Sequence, residues 1–260
     1  MLKKVNLLLV LLIFIYVSAA SAGLVWKSNI VSKTDGKAAT IEAKYYAQDG
    51  NVRQEFVKGT MIPFAKEGSY ILYKKDVQTM YIVNPAEKTY MELPLDALGG
   101  MMSQFMTIDV EKVKVTKLEA ETVLTYKCNH IKIETSYAMK SEMVKMESRV
   151  EQTQEVWGTF SIPTEELSAM FLNQSFKTGI KDLDEAIAKQ MSAIKDVGFP
   201  IKTITVTKST SSMQKGESTS VMESSFHDIS KENVDKSLFD VPKSYKKTEL
   251  FSSMTGMNKK

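Results

Sequence analysis

The side chains that could bind a metal or carry out acid–base chemistry are few in this chain. Its two histidines, His130 and His227, are far apart, and no H-x-x-x-H or C-x-x-C pair is present. Zinc sites need several such ligands at short spacing. The one cysteine, Cys128, lies in a strand-like segment, where a small buried hydrophobic residue is expected rather than a reactive thiol. We therefore expect two structural or surface histidines, with no metal and no cofactor.

Motifs for hydrolysis and nucleotide binding are also absent. The sequence contains no G-x-S-x-G, no G-x-G-x-x-G and no G-x-x-x-x-G-K-[ST]. Glu165, Glu166, Asp182, Asp184 and Glu185 are carboxylates on predicted helices. Sequence neighbours on a helix do not face each other, whereas the two carboxyl groups of a glycosidase face each other across roughly 5–9 Å. The sequence thus predicts a protein that is not an enzyme.

Methionine is the unusual component, with 16 residues in the chain. Two groups stand out, one at 101–106 and one at 139–146. Flexible, polarizable thioether side chains suit surfaces that accept varied apolar ligands. Filling of an ordinary core is the alternative for each methionine, and the sequence leaves both interpretations open.

A weak helix next to a sheet suggests a movable lid over an apolar ligand. Residues 94–106 carry apolar side chains at helical spacing, and Gly99 and Gly100 each lower helix stability by roughly 1 kcal/mol relative to alanine. The predicted lid residues are Met101, Met102, Phe105 and Met106. The predicted wall residues, on neighbouring strands, are Tyr70, Leu72, Tyr81 and Met91.

The first half of the chain after residue 23 has the two-residue period of β-strands. Segments 38–48 and 51–58 flank Asp49-Gly50, a pair typical of a type I′ hairpin turn. Further strands are predicted at 69–75, 79–83 and 88–93, with a turn at Asn84-Pro85. Both faces of these strands carry apolar residues, so a second layer must cover the second face, and helix 94–106 is the candidate.

The second half of the chain also contains predicted strands and helices. Strands are predicted at 108–118, 122–137 and 143–160, although 147–155 is polar enough for an exposed ribbon or loop; helices are predicted within 163–196, and closing strands at 201–208 and 217–228. No linker or repeat separates these segments. The sequence therefore predicts one α+β domain with an antiparallel sheet.

The N-terminus has the pattern of a secretory signal peptide. Lys3 and Lys4 precede an apolar stretch at 7–17, and Ala20-Ser21-Ala22 offers a cleavage site. About 11 apolar residues span roughly 16 Å as a helix, too short for a hydrocarbon core of ~30 Å. No cysteine follows the cleavage site for lipid attachment, and no later segment is long and apolar enough to span a membrane. We expect a periplasmic or secreted protein.

The expected division of the chain is a signal peptide at 1–22, one domain at 23–247 and a flexible tail at 248–260. The leader holds two lysines and no acid, so the mature chain would have a formal net charge of +1 in place of +3. A nearly neutral chain argues against nucleic-acid binding, which needs a basic surface.

Four short segments resemble an uncharacterised family of exported bacterial proteins that has a predicted Lol-type fold, similar to the outer-membrane lipoprotein carriers. The segments are Met80-Tyr81-Ile82-Val83-Asn84-Pro85-Ala86-Glu87-Lys88-Thr89-Tyr90, Tyr126-Lys127-Cys128, Glu155-Val156-Trp157 and the F-x-V-P-x-x-Y run from Phe239 to Tyr245. The resemblance covers most of residues 23–247 and brings no catalytic motif.

The resemblance implies a curved antiparallel sheet, an incomplete barrel, with helices covering its concave face. It also implies a cavity for acyl chains or another lipid-like ligand in the periplasm. The function expected is therefore a non-enzymatic binding or carrier protein for an apolar ligand. The alternative is an envelope structural module whose half-barrel is permanently filled and whose surface binds another envelope protein.

Overall fold

A single open β-sheet contains every strand of the residues described by the computed structural model, which are 22–60, 62, 65–75, 79–143, 145–164 and 177–249. These residues form twelve strands in the order β12-β6-β5-β4-β3-β2-β1-β11-β10-β9-β8-β7. All neighbours are antiparallel except β12, which pairs parallel to β6. The strands are β1 (Gly23–Thr34), β2 (Lys37–Gln48), β3 (Asn51–Lys58), β4 (Tyr70–Lys74), β5 (Thr79–Asn84), β6 (Thr89–Pro94), β7 (Thr107–Val123), β8 (Tyr126–Ser141), β9 (Met146–Thr159), β10 (Phe199–Ser211), β11 (Gln214–Glu232) and β12 (Lys246–Lys247).

Two α-helices are described, α1 (Leu95–Phe105) and α2 (Lys181–Lys195), together with a 3-10 turn at Lys236–Phe239. Helix α2 carries Asp182 and Asp184 in its first turn and Lys195 in its last, as the helix dipole favours. The helix predicted near 163–171 falls mostly outside the described residues. Within the described ranges, no helix combines the length and hydropathy required to cross a membrane.

Local turn chemistry explains the first hairpins. Asp49 and Gly50 have φ angles of 54° and 79°, which confirms the type I′ turn predicted between β2 and β3. Asp35 and Gly36 form an equivalent turn, with φ of 48° and 82°, between β1 and β2, and β1 is a strand that is not among those predicted from the sequence. The polar segment 147–155, left open as ribbon or loop, lies within β9 between β8 and β10.

The connection between β6 and β7 requires the sheet to curl. Ten strand-to-strand steps separate β6 from β7, which is ~48 Å in a flat sheet at ~4.8 Å per step. The chain bridges these two strands with α1, whose 11 residues rise only ~16 Å. An open, strongly curved sheet satisfies both facts, because curling brings β6 and β7 towards each other.

The two faces of the sheet have different covers. We call the first the helix face, because Ala193 and Val197, within and just after α2, pack there on Ile131, Ile133 and Val156. At its centre, Trp26 of β1 stacks on Tyr45 of β2 at 4.9 Å and meets Phe199 and Phe226 edge-on.

The opposite face of β1–β6 is covered by residues 233–247, which we call the C-terminal clasp. Phe239 packs with Val25 and Val234, whereas Val241 and Tyr245 pack on the cluster around Leu72. The apolar second face therefore has a cover, as expected, but the clasp supplies it rather than the segment 94–106. The F-x-V-P-x-x-Y run is part of this clasp, so its aromatic and aliphatic residues have a packing function.

Candidate ligand-binding face

The four predicted wall residues lie on both faces of the sheet. Tyr70 and Leu72 pair with Val83 and Tyr81, and all of these side chains belong to the cluster beneath the clasp. Met91 pairs with Ile82 and lies on the helix face. Tyr70, Leu72 and Tyr81 therefore share one surface, and Met91 belongs to another.

Apolar side chains line the helix face of β4, β5 and β6 in two cross-strand rows. One row is Ile71, Ile82 and Met91, and the other is Tyr73, Met80 and Leu93. A cluster on this face, which we call the apolar platform, comprises Ile30, Ile41, Phe56, Ala65, Ile82, Met91 and Leu93, with Ile62, Ile71, Met80 and Met222 packed against it. The last four are only partly buried, so the platform presents apolar surface beyond its closed core.

The predicted lid corresponds to α1, which begins directly after β6 and contacts it. Phe105 at its end is 39% exposed, and Met106 is half-buried. The side chains of Met101 and Met102 lie outside the described residues. The structure thus places Phe105 and Met106 at the end of α1 that leads into β7.

The glycine pair of α1 has an unequal role that the sequence did not indicate. A Cβ atom at Gly99 would collide with the backbone carbonyl of Lys177, whereas a Cβ atom at Gly100 would meet nothing within 4 Å. On the other side of this contact, Gly179 lies against Ser103 of α1. Helix α1 is therefore docked closely on the segment 177–179 that leads into α2, and only a glycine permits the approach at position 99.

An open pocket of about 480 Å³ lies on the clasp side of β3 and β4 and has Arg53 in its lining. Its lining residues are Arg53, Glu55, Phe56, Val57, Glu67, Gly68, Tyr70 and Pro85. The Arg53 guanidinium donates to Glu55 from Nε at 2.8 Å and to the carbonyl of Leu238 from Nη1 at 3.0 Å, and it lies 3.6 Å above the ring of Tyr70. Arg53 therefore joins β3 to the clasp. Burial raises the pKa of the Tyr70 hydroxyl, and the charge of Arg53 opposes that rise.

The polar partners of the two histidines, among the described residues, are carboxylates. His130 is 7% exposed and stacks on Trp157 at 4.1 Å, with Glu155 Oε2 at 3.1 Å from Nε2 and Glu121 Oε1 at 3.5 Å from Nδ1. His227 lies at the surface beside Asp228. These contacts fit the expected structural and surface roles of the two histidines.

The thiol and the acidic groups offer no alternative centre. Cys128 is buried, its Sγ donates to the Tyr126 carbonyl at 3.6 Å, and burial raises its pKa, so the reactive thiolate is disfavoured. Among the described residues, no three His, Cys, Asp or Glu side chains are grouped so that they could hold a metal ion.

An open, curled antiparallel sheet with an apolar platform defines the class of this protein. Residues 29–245 match the model of a family described as "Domain of unknown function (DUF4412)", and the chain belongs to that family. The predicted resemblance to an uncharacterised family is thereby confirmed. No curated protein sequence matches the chain significantly.

The solved structures similar to this chain include proteins of the Lol type. A LolA superfamily protein from Nitrosomonas europaea is 9% identical with a TM-score of 0.32, and the match covers 85% of this chain and 90% of that protein. A putative outer membrane lipoprotein-sorting protein domain from Vibrio parahaemolyticus is 9% identical with a TM-score of 0.34, covering 85% and 91%.

PNGF-II is 12% identical with a TM-score of 0.37, and the match covers 91% of this chain but only 33% of that protein. The chain thus spans about a third of the length of PNGF-II. At these identities and TM-scores, the likenesses carry no inference about function, which must come from the chain's own residues.

Proposed function

We propose that this protein is a non-enzymatic binding or carrier protein that holds a lipid or another apolar ligand in the periplasm. In this proposal residues 1–22 are a cleaved signal peptide, 23–247 are one ligand-binding domain and 248–260 are a tail. The helices cover the concave side of the curled sheet, which is the helix face. The ligand lies between the apolar platform and α1.

The observation that carries the proposal is the pair of apolar rows on β4–β6. Six apolar side chains from three neighbouring strands lie side by side, and Ile71 and Met80 are only half-buried. Apolar ligand sites are lined mainly by such side chains. Methionine suits the platform, because its flexible side chain adapts to ligands of different shape.

The proposed lid keeps the residues predicted from the sequence, Met101, Met102, Phe105 and Met106. The proposed wall keeps Met91 and adds the other platform residues. Tyr70, Leu72 and Tyr81 are not part of this wall, because the clasp packs on their cluster. Opening would move α1 relative to the sheet, and its contact with residues 177–179 would be the hinge.

Binding of a fluorescent fatty acid to delipidated protein tests the proposal. Met80→Gln places an amide on the platform, and an amide without a partner in an apolar contact costs about 1–3 kcal/mol. We expect roughly tenfold weaker binding, since 1.4 kcal/mol is about tenfold. Met213→Gln is the matched control, because Met213 is 69% exposed at the β10–β11 turn. Phe105→Asp should likewise weaken binding.

Circular dichroism and urea unfolding of each variant separate lost binding from lost folding. Two negative results together would contradict the carrier proposal. The wild-type protein would bind no fatty acid, and protein from the envelope fraction would yield no lipid on extraction and native mass spectrometry. That outcome would favour the permanently filled half-barrel, which acts through another envelope protein.

A further inference from the structure

Several methionines lie at one corner of the helix face, at the β8–β9 hairpin. Met139 of β8 pairs with Ser148, and Met146 of β9 pairs with Ser141. Directly paired antiparallel residues share a face, as do residues two apart on one strand. Met139 and Met146 are therefore diagonal neighbours on one face, a relationship in which α-carbons lie about 7–8 Å apart. Their thioether groups can approach the same point.

Two more methionines belong to this corner. Thr107, the first residue of β7, pairs with Lys140, so Met106, directly before β7, lies near Ser141, on the side opposite Met146. Ser141 is small, so the Met106 and Met146 side chains can meet above it from strands ~10 Å apart. Met143 lies on the hairpin turn and is 67% exposed. We call Met106, Met139, Met143 and Met146 the methionine corner.

The potential metal ligands of the methionine corner are all thioether sulfur atoms. Thioether sulfur is soft and uncharged, and soft sulfur ligands select Cu(I) over hard cations such as Mg²⁺ and Ca²⁺. Of the nearby charges, Lys140 and Glu147 pair with each other at 2.9 Å, and by strand alternation they lie on the opposite face. Glu142 and Lys145 are exposed residues of the hairpin turn. Carboxylate ligands that would attract harder ions are therefore absent from the paired strand positions that form this corner.

Burial distinguishes the corner from ordinary core filling. Met106, Met139 and Met146 are half-buried, whereas their neighbours Ile108 and Ser141 are each 7% exposed. Partly exposed methionines above a closed layer remain accessible to an ion from solvent. A core would instead enclose the sulfur atoms completely.

We propose that the methionine corner binds a single Cu(I) ion through the thioethers of Met106, Met139 and Met146, with Met143 closing over the ion from the turn. The site shares Met106 with the proposed lid, but its other ligands, Met139 and Met146, belong neither to the lid nor to the platform. The reaction is binding alone, with no change of oxidation state.

The test measures anaerobic Cu(I) binding against a competing chelator and binding of Ag(I), a redox-inert ion of the same charge and preference. Met139→Leu with Met146→Leu removes two sulfur atoms while keeping apolar volume, a substitution that cores tolerate. The matched control is Met80→Leu with Met222→Leu on the platform. We expect the corner variant to lose one equivalent of bound Ag(I) and to bind Cu(I) at least tenfold more weakly, with the control unchanged.

NMR of protein labelled with ¹³C at the methionine methyl groups locates the ion. One equivalent of Ag(I) should shift the methyl signals of Met106, Met139 and Met146 and leave those of Met80 and Met222 in place. Equal Cu(I) affinity of wild type and corner variant, or unshifted corner signals, would overturn the site. Fatty-acid binding by the corner variant should match that of wild type, so failure of either proposal is recognised separately.

Discussion

Gly99 of α1 lies directly against the backbone carbonyl of Lys177, in a contact that has no space for a Cβ atom. The two residues are far apart in the sequence, yet this contact is where the helix that leaves β6 meets the segment that enters α2. It connects the two helical parts of the fold. The position of α1 relative to the sheet therefore depends on residue 99 being a glycine, which has no side chain.

Gly99→Ala should undock α1 or shift the segment at 177. Overpacking of this kind costs about 1–3 kcal/mol, and a backbone carbonyl moves less readily than a side chain. Gly100→Ala is the matched control, since a Cβ atom there meets nothing within 4 Å. Alanine in an exposed helical position should stabilise α1 by about 0.5–1 kcal/mol.

Urea unfolding and limited proteolysis of α1 measure both changes. The two substitutions should move the free energy of unfolding in opposite directions, and only Gly99→Ala should speed cleavage within α1. Equal effects of the two alanines would show that the close contact with Lys177 does not hold the helix.

The C-terminal clasp should contribute strongly to stability through Phe239. This side chain is 4% exposed and packs with Val25 and Val234. Phe239→Ala should lower the free energy of unfolding by about 3–5 kcal/mol, because it removes buried surface and leaves a cavity. The matched control is Phe160→Ala, since Phe160 is 65% exposed, and its effect should stay within about 0.5 kcal/mol. Similar urea midpoints for the two variants would contradict a packed clasp.

Local chemistry made several elements predictable from the sequence. Asp49-Gly50 forms its turn because the pair tolerates positive φ. Asp35-Gly36 has the same property and indicates a hairpin turn between β1 and β2. The sequence predicted helices within 163–196, where α2 lies, because the three- to four-residue spacing of apolar residues can be recognised without knowing what the helix packs against. Segment 147–155 was ambiguous because a polar strand can be held by its ladder hydrogen bonds on both sides.

The candidate site was predictable only in part, because its faces depend on contacts between distant residues. Both faces of β4 are apolar, since a clasp more than 150 residues later covers Tyr70 and Leu72. The alternation of side chains along the strands could not show that Tyr70 and Leu72 lie on a different face of the sheet from Met91. Likewise, Gly99 reads as a helix breaker in the sequence, and only its contact with Lys177 reveals a packing role.

Arg53 should hold the clasp through geometry that lysine cannot reproduce. Its planar guanidinium contacts Glu55, the Leu238 carbonyl and the Tyr70 ring together. Arg53→Lys should lower the free energy of unfolding by about 1–3 kcal/mol, since it leaves partly buried acceptors without their donors. The other arginine of the chain, Arg149, supplies the control, because it is exposed and pairs only with Glu111 among the contacts described. Arg149→Lys should change urea unfolding little, and equal losses would refute the anchoring role of Arg53.

Alkaline pH should unfold the protein partly through Tyr45. Burial raises the pKa of its hydroxyl above the ordinary value of about 10, and Ser28, which donates a hydrogen bond to it at 3.4 Å, opposes that rise only in part. The unfolded chain therefore loses this proton at a lower pH than the folded chain does. The contribution to stability is intact below about pH 10 and is lost as the pH rises towards the folded-state pKa.

Tyr45→Phe removes this ionisation while keeping the ring that stacks on Trp26. Near pH 7 the free energy of unfolding should change little, because the lost hydrogen bond is long. From about pH 9 to pH 11 it should fall less steeply than in wild type. Tyr70 and Tyr137, whose pKa values burial also raises, and Lys44, whose pKa its hydrogen bond to Tyr46 raises, contribute to the remaining slope. Urea unfolding across this range gives the free energy of unfolding at each pH. Tyrosinate absorbance, followed in parallel, gives the extent of tyrosine ionisation. Parallel curves for variant and wild type would mean that the Tyr45 hydroxyl ionises equally readily in the folded and unfolded chains.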